Sequence, residues 1–341
     1  MKLPTLHLYF LGTPDPRYPP GPPRWVPGDQ HARLFVRRLR GKQIEAMGSG
    51  LSMRARNLSL GLRKIRQPHV LHTDAAPPPR GVPVGIIHGP VDAVREIAAR
   101  APCLTGCGVL SAPEQWPDMF AETQAVFHLQ ASEWAADLFR RRWGPRVRVW
   151  PVGIDTDRWK PASRVEPVTD FLLYDKVLWD RSRTERDLVD PVRDVLRREG
   201  LTFETIRYGR YRPSELAAAL RRCRAVLFLC EHETQGQACE QMLAAGLPVL
   251  AWDPGEWRDP VRARYGIPPT PATSVPYFDE RCGERFPALG TFPESLGCFL
   301  ENLRAGRYAP RDYVLENLTL ERGARRYVEL LGEALGSDVL R

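Results

Sequence analysis

Short apolar runs alternate along most of the chain with segments of helical periodicity, and this alternation limits the possible folds more than any other feature. The runs are "LHLYFLG", "HVLH", "VPVGIIHG", "AVFHLQ" and "VRVWPVG" in the first half, then "DFLLYDK", "FETIRYG", "AVLFLC" and "LPVLAW". Segments such as "SEWAADLFRRRWG" and "PSELAAALRRCR" have apolar residues at helical spacing, with Ser or Pro at their starts. This order predicts parallel sheets with helices on both faces.

A polar segment, "GIDTDRWKPASRVEPVTD", separates the runs into two series. The 341 residues also exceed what one hydrophobic core usually serves. We therefore predict an α/β chain of two Rossmann-like, doubly wound domains, one over residues 1–152 and one over 153–318. Because ligands of such folds bind at the carboxyl ends of the strands, the cleft between the domains is the predicted site.

Composition argues against several classes of protein. No apolar run reaches the roughly 18 residues of a membrane span, and the opening "MKLPTLHLYFLG" is too short for a signal peptide, so we expect a cytoplasmic protein. The odd count of seven cysteines predicts reduced core thiols, and three lie in or beside apolar segments: Cys223, Cys230 and Cys239. Cys103 and Cys107 have no second pair with which to bind zinc.

Charge is unevenly distributed. Residues 1–150 hold 21 Lys/Arg against 11 Asp/Glu, a net +10, whereas residues 151–341 hold 28 against 30, a net −2. This asymmetry predicts an anionic partner or an anionic membrane surface for the N-terminal half, the alternative being an arginine-rich solvated surface. Its densest clusters, "RLFVRRLRGK" and "RRRWGPRVR", lack the interleaved stacking aromatics of a nucleic-acid platform, so no nucleic-acid partner is predicted.

The stretch "FLCEHETQGQACEQMLAAGLPVLAWD", residues 228–253, concentrates hydrogen-bonding side chains between two buried runs. It predicts a strand, a turn containing Glu233 and Thr234, and a helix closed by glycine. The first free N–H groups of that helix, near Gln235, Gly236 and Gln237, form an anion site suited to a diphosphate. Glu233 could accept hydrogen bonds from sugar hydroxyls. The alternative is an acidic helix N-terminus favoured by the helix dipole.

In this stretch the chain resembles the family 4 glycosyltransferases of GT-B fold, whose signature reads Glu-x-x-Gly, four residues, Glu, and then Gly-x-Pro-Val. The matching residues are Glu233, Gly236, Gly246 and "LPVLA". The second signature glutamate falls on Gln241, with Glu240 beside it. A glutamine has one uncharged acceptor oxygen. It therefore cannot accept hydrogen bonds from both hydroxyls of a ribose in the way that the two anionic oxygens of a glutamate can. Either Gln241 binds the ribose more weakly, or Glu240 replaces it after a small helical shift.

Other segments resemble the family in the same order. "VRVWPVGIDTDRWKP" is similar to its interdomain segment, and "PHVLHTDAAPPPRGVPVGIIHGP" to two strands ending in histidine. "IRYGRYRPSELAAALRRCRAVLFL" resembles the base-binding strand, turn and helix, which makes Tyr208 and Gly209 donor-binding candidates. "APRDYVLENLTLERGARRYVELL" resembles the helix that crosses back to the first domain, which we place in residues 319–341.

The resemblance also implies a clamp for the diphosphate, an Arg and a Lys in the loop where this chain has "DFLLYDKVLWDRSRTERD". Lys176 takes the place of the arginine, and Arg181 lies at about the spacing of the lysine. Both keep positive charge. The usual glycine is Asp175, which leaves the second position open between Arg181 and Arg183. The alternative is a solvated charged loop.

A histidine at the end of a strand is a further candidate. By resemblance, His88 contacts the transferred sugar or steadies its reacting face, the alternative being a satisfied core histidine. His72 and His232 are weaker candidates, and Gly12 is a candidate for contact with donor phosphate.

The triplet "DTD" at Asp155–Asp157 could hold a divalent ion, but it lies in the interdomain segment. We expect Asp155 to bind linker backbone and Asp157 to pair with Arg158 or solvent.

These features together imply a retaining, metal-independent glycosyltransferase that needs no cofactor and moves a hexose-like sugar from a nucleoside diphosphate sugar to an acceptor on the basic N-terminal domain. The predicted catalytic residues are His88, Glu233, Lys176 and Arg181. Departure and attack would occur on one face of the sugar. If the basic half binds an anionic membrane surface rather than an anionic acceptor, the protein would lie at the inner membrane face. The alternatives are a sugar-nucleotide epimerase and a non-catalytic nucleotide-sugar-binding protein, the latter suggested by Gln241 and Asp175.

Overall fold

A computed structural model describes residues 4–11, 50–161 and 168–336. The N-terminal half forms a six-stranded sheet in which every strand pair is parallel, in the order β2-β1-β3-β4-β5-β6. Its strands are β1 Leu6–Phe10, β2 His69–His72, β3 Val84–His88, β4 Cys103–Gly108, β5 Ala125–Gln130 and β6 Val147–Val149.

The C-terminal half forms a second parallel sheet of five strands, in the order β11-β10-β9-β7-β8. Its strands are β7 Thr169–Lys176, β8 Phe203–Arg207, β9 Cys223–Cys230, β10 Val249–Trp252 and β11 Gly283–Phe286. The prediction of two Rossmann-like parallel-sheet domains is therefore confirmed. Two strands, β4 and β11, were not predicted.

Helices cover both faces of each sheet. Those of the N-terminal half are α1 Gly50–Lys64, α2 Val91–Ala98, α3 Met119–Glu122 and α4 Glu133–Trp143. The next are α5 Arg181–Thr184, which runs through a π-helical turn at Glu185–Val189 into α6 Asp190–Arg198, then α7 Pro213–Arg222, α8 Gln237–Ala244 and α9 Pro260–Arg264. The last are α10 Phe292–Arg304, α11 Pro310–Asn317 and α12 Leu320–Leu335.

Strand β7 shows how one sheet serves two cores. Leu172 and Tyr174 lie in the core cluster that includes residues of α7 and α8. Phe171 and Leu173 lie in the cluster on the opposite face, with residues of α6 and α10. Because successive side chains of a strand point to opposite faces, a strand covered on both sides has a continuous apolar run rather than an alternating one.

The last described helix, α12, returns to the N-terminal half and packs against α1. The crossing is close. A Cβ on Gly153 would lie 2.3 Å from the carbonyl oxygen of Thr319, and one on Gly323 would lie 2.5 Å from the nitrogen of Gly153. Both positions therefore need glycine for the backbones to approach. Within the described ranges, no helix has the length and apolar character needed to cross a lipid bilayer.

Candidate functional site

The candidate site lies where the strand order of each sheet reverses. In the C-terminal sheet the reversal falls between β7 and β9, and Lys176 pairs in register with Cys230 at their carboxyl ends. In the N-terminal sheet it falls between β1 and β3, and β3 ends at His88. Ligands of doubly wound folds bind at such switch points.

Arg54 connects the two reversal points, because its charge acts on His88 and its guanidinium donates to Thr234 of the other domain. On the N-terminal side the contact between the domains includes residues of α1 and α4 and the chain that follows β5. On the C-terminal side it includes the turn between β9 and α8, which holds Glu233 and Thr234.

Lys176 and Glu233 form an ion pair inside this contact, and both side chains are largely buried. The ammonium group of Lys176 also lies 4.5 Å from the ring centre of Tyr208. Burial lowers the pKa of Lys176, but several effects that raise it, the charge of Glu233 foremost, together outweigh burial, and the pKa is raised. The predicted phosphate-binding cation and the predicted sugar-binding carboxylate are thus in direct contact.

Glu231 fixes the turn that carries Glu233. Its buried carboxylate accepts hydrogen bonds from the backbone N–H groups of Leu178 at 3.0 Å and Trp179 at 2.9 Å. Burial raises the pKa of Glu231, although these N–H groups act in the opposite direction. The loop after β7 and the turn after β9 are therefore joined, which holds Lys176 and Glu233 in place.

Gly236 is the N-cap residue of helix α8, and its φ of +88° places it in the left-handed region that glycine favours. The N–H groups of a helix's first turn have no intrahelical acceptor, so they are free to bind an anion. Gln237, the first residue of α8, is only 8% exposed, and both polar atoms of its side-chain amide lack a partner among the described residues.

The side chains of Gln235 and Glu240 bind each other rather than an open site. Gln235 donates to one carboxyl oxygen of Glu240 at 3.0 Å, and the other oxygen has no partner within the described chain. Burial raises the pKa of Glu240 well above its usual range. Gln241 is 4% exposed and donates to the sulfur of Met53 on α1 at 2.9 Å. Of the two ribose candidates, Gln241 is thus the one that contacts the other domain.

The second predicted clamp position is already paired within the protein. The guanidinium of Arg181 binds both carboxyl oxygens of the buried Asp175, and it also pairs with Glu185. The hydrogen bond with Asp175 contributes most to raising the pKa of Arg181. Arg183 has 72% of its side chain exposed and pairs with Asp187 at 3.3 Å. Lys176 is the candidate that contacts Glu233.

His88 is a buried, neutral histidine at the contact between the domains. Its Nδ1 donates a hydrogen bond to the carbonyl of Gly108, and its ring lies 5.3 Å from that of Phe10. Burial lowers the pKa of His88; the hydrogen bond to Gly108 opposes this, and the charge of Arg54 adds to it. Because Nδ1 carries the proton, Nε2 of the neutral ring is a hydrogen-bond acceptor.

The weaker histidine candidates have protein partners. His72 lies against His7, with Nε2 to Nδ1 at 2.9 Å. His232 accepts from the backbone N–H of Arg258 at 3.4 Å, and burial lowers its pKa to about 4. Gly12 lies outside the described residues. Gly209 has a φ of +77°, next to Tyr208.

Three residues at the contact were not predicted. Arg54 of α1 donates to the carbonyl of Cys107 at 2.5 Å and to the hydroxyl of Thr234 at 2.8 Å. Trp134 of α4 donates from its indole to the carbonyl of Glu233 at 2.9 Å. Tyr277 donates to the carbonyl of Ala131 at 2.5 Å. The sequence does hold one signal, because Arg54 has the same helical phase as the buried Leu58 and Leu62.

The "DTD" triplet is part of the interdomain structure. Asp155 accepts from the backbone N–H of Arg158 at 3.1 Å, in the predicted way. Asp157 has 78% of its side chain exposed to solvent, and its carboxylate pairs with Lys64 at 2.8 Å rather than with the expected Arg158. Helix α1 ends beside the linker and brings Lys64 within reach. Among the described residues, no group of three or more His, Cys, Asp or Glu side chains is placed to hold a metal ion.

Two parallel-sheet domains with facing strand ends, and a last helix that returns to the first domain, define the GT-B fold. The chain is similar to a glycosyltransferase from Rickettsia africae ESF-5, at 11% identity and a TM-score of 0.56, over 98% of this chain and 100% of that one. It is also similar to the GtfA/B complex, at 15% identity and a TM-score of 0.50, over 74% and 57%.

A third similar structure is a mutant of S. aureus TarM in complex with Fondaparinux, alpha-GlcNAc-glycerol and UDP, at 9% identity and a TM-score of 0.51, over 73% of this chain and 55% of that one. The chain thus spans little more than half the length of the GtfA/B and TarM chains. No protein-family model and no curated protein sequence matches it. At these identities the likeness shows the fold alone, and function has to be argued from the site.

Proposed function

We propose that the chain is a glycosyltransferase that uses a nucleoside diphosphate sugar as donor. The observation that carries the proposal is the Lys176–Glu233 ion pair, which lies at the strand-order reversal beside the first residues of α8. A cation and a helix N-terminus suit a diphosphate, and a carboxylate suits sugar hydroxyls. Similar folds described as glycosyltransferases, and one solved with UDP, support the same conclusion.

In the proposed reaction, the bond between the anomeric carbon and the diphosphate oxygen breaks, and a bond to the acceptor oxygen forms on the same face of the sugar. Lys176 and the start of α8 stabilise the negative charge that develops on the diphosphate, without a metal ion. Glu233 holds a sugar hydroxyl. The leaving phosphate takes the acceptor's proton. The donor must therefore separate Lys176 from Glu233, so that each residue binds one side of the bond that breaks.

His88 belongs to the acceptor side of the site in this proposal. Its neutral Nε2 can accept a hydrogen bond from a sugar or acceptor hydroxyl, while the Nδ1 hydrogen bond to Gly108 fixes the orientation of the ring. A positively charged histidine would instead be a donor at the same position. The low pKa of His88 keeps it an acceptor at neutral pH.

Two features favour a second candidate, a protein that binds nucleotide sugars without turnover. Asp175 and Glu185 neutralise Arg181, and Gln241 stands where the resembled family has glutamate. Both reduce the polar contacts available to a donor. This candidate predicts donor binding with no transfer to any acceptor.

A thermal-shift screen of nucleoside diphosphates and their sugars tests the proposal. A ligand at 100 times its Kd stabilises the folded state by about 2.7 kcal/mol. Acceptors are then added with the donor that gives the largest shift. Release of nucleoside diphosphate only when acceptor is present supports transfer and excludes an epimerase. Binding without release supports the second candidate, and the absence of any shift contradicts both.

A further inference from the structure

Arg54 is a buried cation without a counter-ion among the described residues. It is only 7% exposed, and its Nε has no hydrogen-bond partner within the described part of the chain. Its two other nitrogens bind a carbonyl oxygen and a hydroxyl, both uncharged. A buried charge is costly unless an opposite charge or several hydrogen bonds compensate it. Such a group at the contact with Thr234 of the other domain suits an anionic ligand.

The buried carboxyl group of Glu240 does not act as a counter-ion for Arg54. Glu240 is buried close enough for the charge of Arg54 to act on its pKa, yet burial keeps that pKa well above the usual range. Burial thus favours the neutral form of Glu240, which accepts a hydrogen bond from Gln235. His88, whose pKa the charge of Arg54 also helps to lower, is a neutral histidine. Among the described residues, Arg54 binds only uncharged partners and forms no ion pair.

A second observation points to the same place. Arg54 binds Thr234, two residues before Gly236, so its guanidinium lies at the turn that leads into α8. Gln237, the first residue of that eight-residue helix, has a buried amide whose two polar atoms are unpartnered within the described ranges. Within the described ranges, an unpaired guanidinium nitrogen and an unpaired amide thus lie at the turn and the start of one helix, and such buried unpaired groups call for a partner.

We propose that Arg54 and the start of α8 form one oxyanion site shared between the two domains, and that Arg54 binds a phosphate of the donor there. This assignment rests on the proposed function. Because Asp175 and Glu185 occupy Arg181, the diphosphate needs another cation besides Lys176, and α1 supplies it from the opposite domain. A guanidinium can bind two phosphate oxygens at once, and its hydrogen bonds to an ion are stronger than those to Thr234 and Cys107.

The test measures the binding of inorganic pyrophosphate and of uridine diphosphate by calorimetry. The variants are Arg54→Gln, Arg54→Met and, as the matched control, Arg56→Gln, which removes an exposed arginine of the same helix. Removing a hydrogen-bonding cation should weaken the binding of both probes about 10- to 100-fold. The control should bind within about twofold of the natural protein. Arg54→Met should not lower the Tm of the ligand-free protein, because it replaces an uncompensated buried charge by an apolar chain.

Three outcomes separate this inference from the proposed function. If Arg54→Gln binds both probes within about twofold of the natural protein, the inference is wrong. If pyrophosphate binding depends on Arg54 but no nucleoside diphosphate binds better than pyrophosphate, the anion site stands and the donor proposal fails. If Arg54→Met lowers the Tm sharply while the folded fraction binds pyrophosphate normally, Arg54 is structural and the inference is overturned.

Discussion

The side-chain amide of Gln235 binds both backbone groups of Val152. Its Nε2 donates to the carbonyl oxygen of Val152 at 2.6 Å, and its Oε1 accepts from the N–H of Val152 at 3.3 Å. Gln235 lies two residues after Glu233, and Val152 lies where the chain leaves the N-terminal domain. The turn that carries the candidate site is thus fastened to the segment that joins the domains.

Gln235→Leu should therefore destabilise the protein. It leaves the N–H and C=O of Val152 buried without partners, and each unsatisfied group costs about 1–3 kcal/mol. We expect the free energy of unfolding in urea to fall by roughly 2–4 kcal/mol. Gln124→Leu, which removes an exposed glutamine with a single backbone contact, should change it by less than about 1 kcal/mol. Equal unfolding midpoints for the two variants would contradict this role of Gln235.

Glu233→Ala should separate sugar transfer from phosphate binding. We expect kcat for transfer to fall about 100-fold or more, because a side chain that orients the reacting sugar is lost. The affinity for the free nucleoside diphosphate should stay the same or rise, since Lys176 loses the carboxylate that competes with phosphate. Glu199→Ala, at an exposed position outside the site, is the control. Parallel loss of transfer and of nucleoside diphosphate binding would show that Glu233 has a different role.

Gln241→Glu tests which residue meets the ribose. Without ligand, the new carboxylate is buried beside Met53, which offers no hydrogen-bond donor, so the Tm should fall. If position 241 faces the ribose, a ribonucleoside diphosphate should raise the Tm of this variant more than the 2′-deoxy analogue does. Equal shifts from the two nucleotides would remove Gln241 from the donor site.

Glu240→Gln should change how stability depends on pH. Burial raises the folded-state pKa of Glu240, so the unfolded chain releases this proton near pH 4.5 while the folded chain keeps it. Wild-type stability therefore decreases as pH rises above 4.5 toward the folded-state pKa. A glutamine has no proton to release. The Tm of the variant minus that of the wild type should therefore increase as the pH rises above about 4.5, and a constant difference would show that the fold does not raise the pKa of Glu240.

His128 should contribute to acid unfolding. It is fully buried, hydrogen-bonded to Gln130 at 2.9 Å, and burial lowers its pKa to about 3. The unfolded chain takes up this proton near pH 6.5, so stability is complete above that pH and decreases as pH falls toward 3. At a pH of about 4.5 the loss is about 2–3 kcal/mol. His128→Gln should flatten this part of the urea-unfolding profile, whatever its effect at neutral pH. An unchanged slope would contradict the prediction.

The fold class could be predicted because buried parallel strands leave continuous apolar runs, as in β7 and β9. The two strands that were missed lack such runs. Strand β4 reads "CLTGCG" and is buried almost throughout, but its glycines, threonine and cysteines give little apolar signal. Strand β11 reads "GERF", and two of its four residues are charged. It lies at the edge of the described sheet, where it pairs only with β10. Both segments form strands because they pair with neighbouring strands, not because their own residues favour a strand.

The candidate site was predictable only where its residues are close in sequence. The turn from Glu233 to Gly236 and the helix after it follow from local spacing, and Asp175 lies six residues from the arginine that it neutralises. Arg54 and Trp134 reach the same turn from positions 180 and 99 residues away. Contacts between residues so far apart in the sequence depend on how the two domains pack against each other. Whether these residues bind a donor stays a prediction.

The return of α12 to the N-terminal domain determines the order in which the chain can fold as it is synthesised. Leu6 and Leu8 of β1 and Leu58 and Leu62 of α1 share one core with Tyr327, Leu330 and Leu331 of α12. The helix α12 leaves the ribosome about 250 residues after α1. The apolar side chains of β1 and α1 that pack against it therefore remain exposed while the second domain is synthesised. Newly made N-terminal halves should therefore need a chaperone, or aggregate, until α12 arrives.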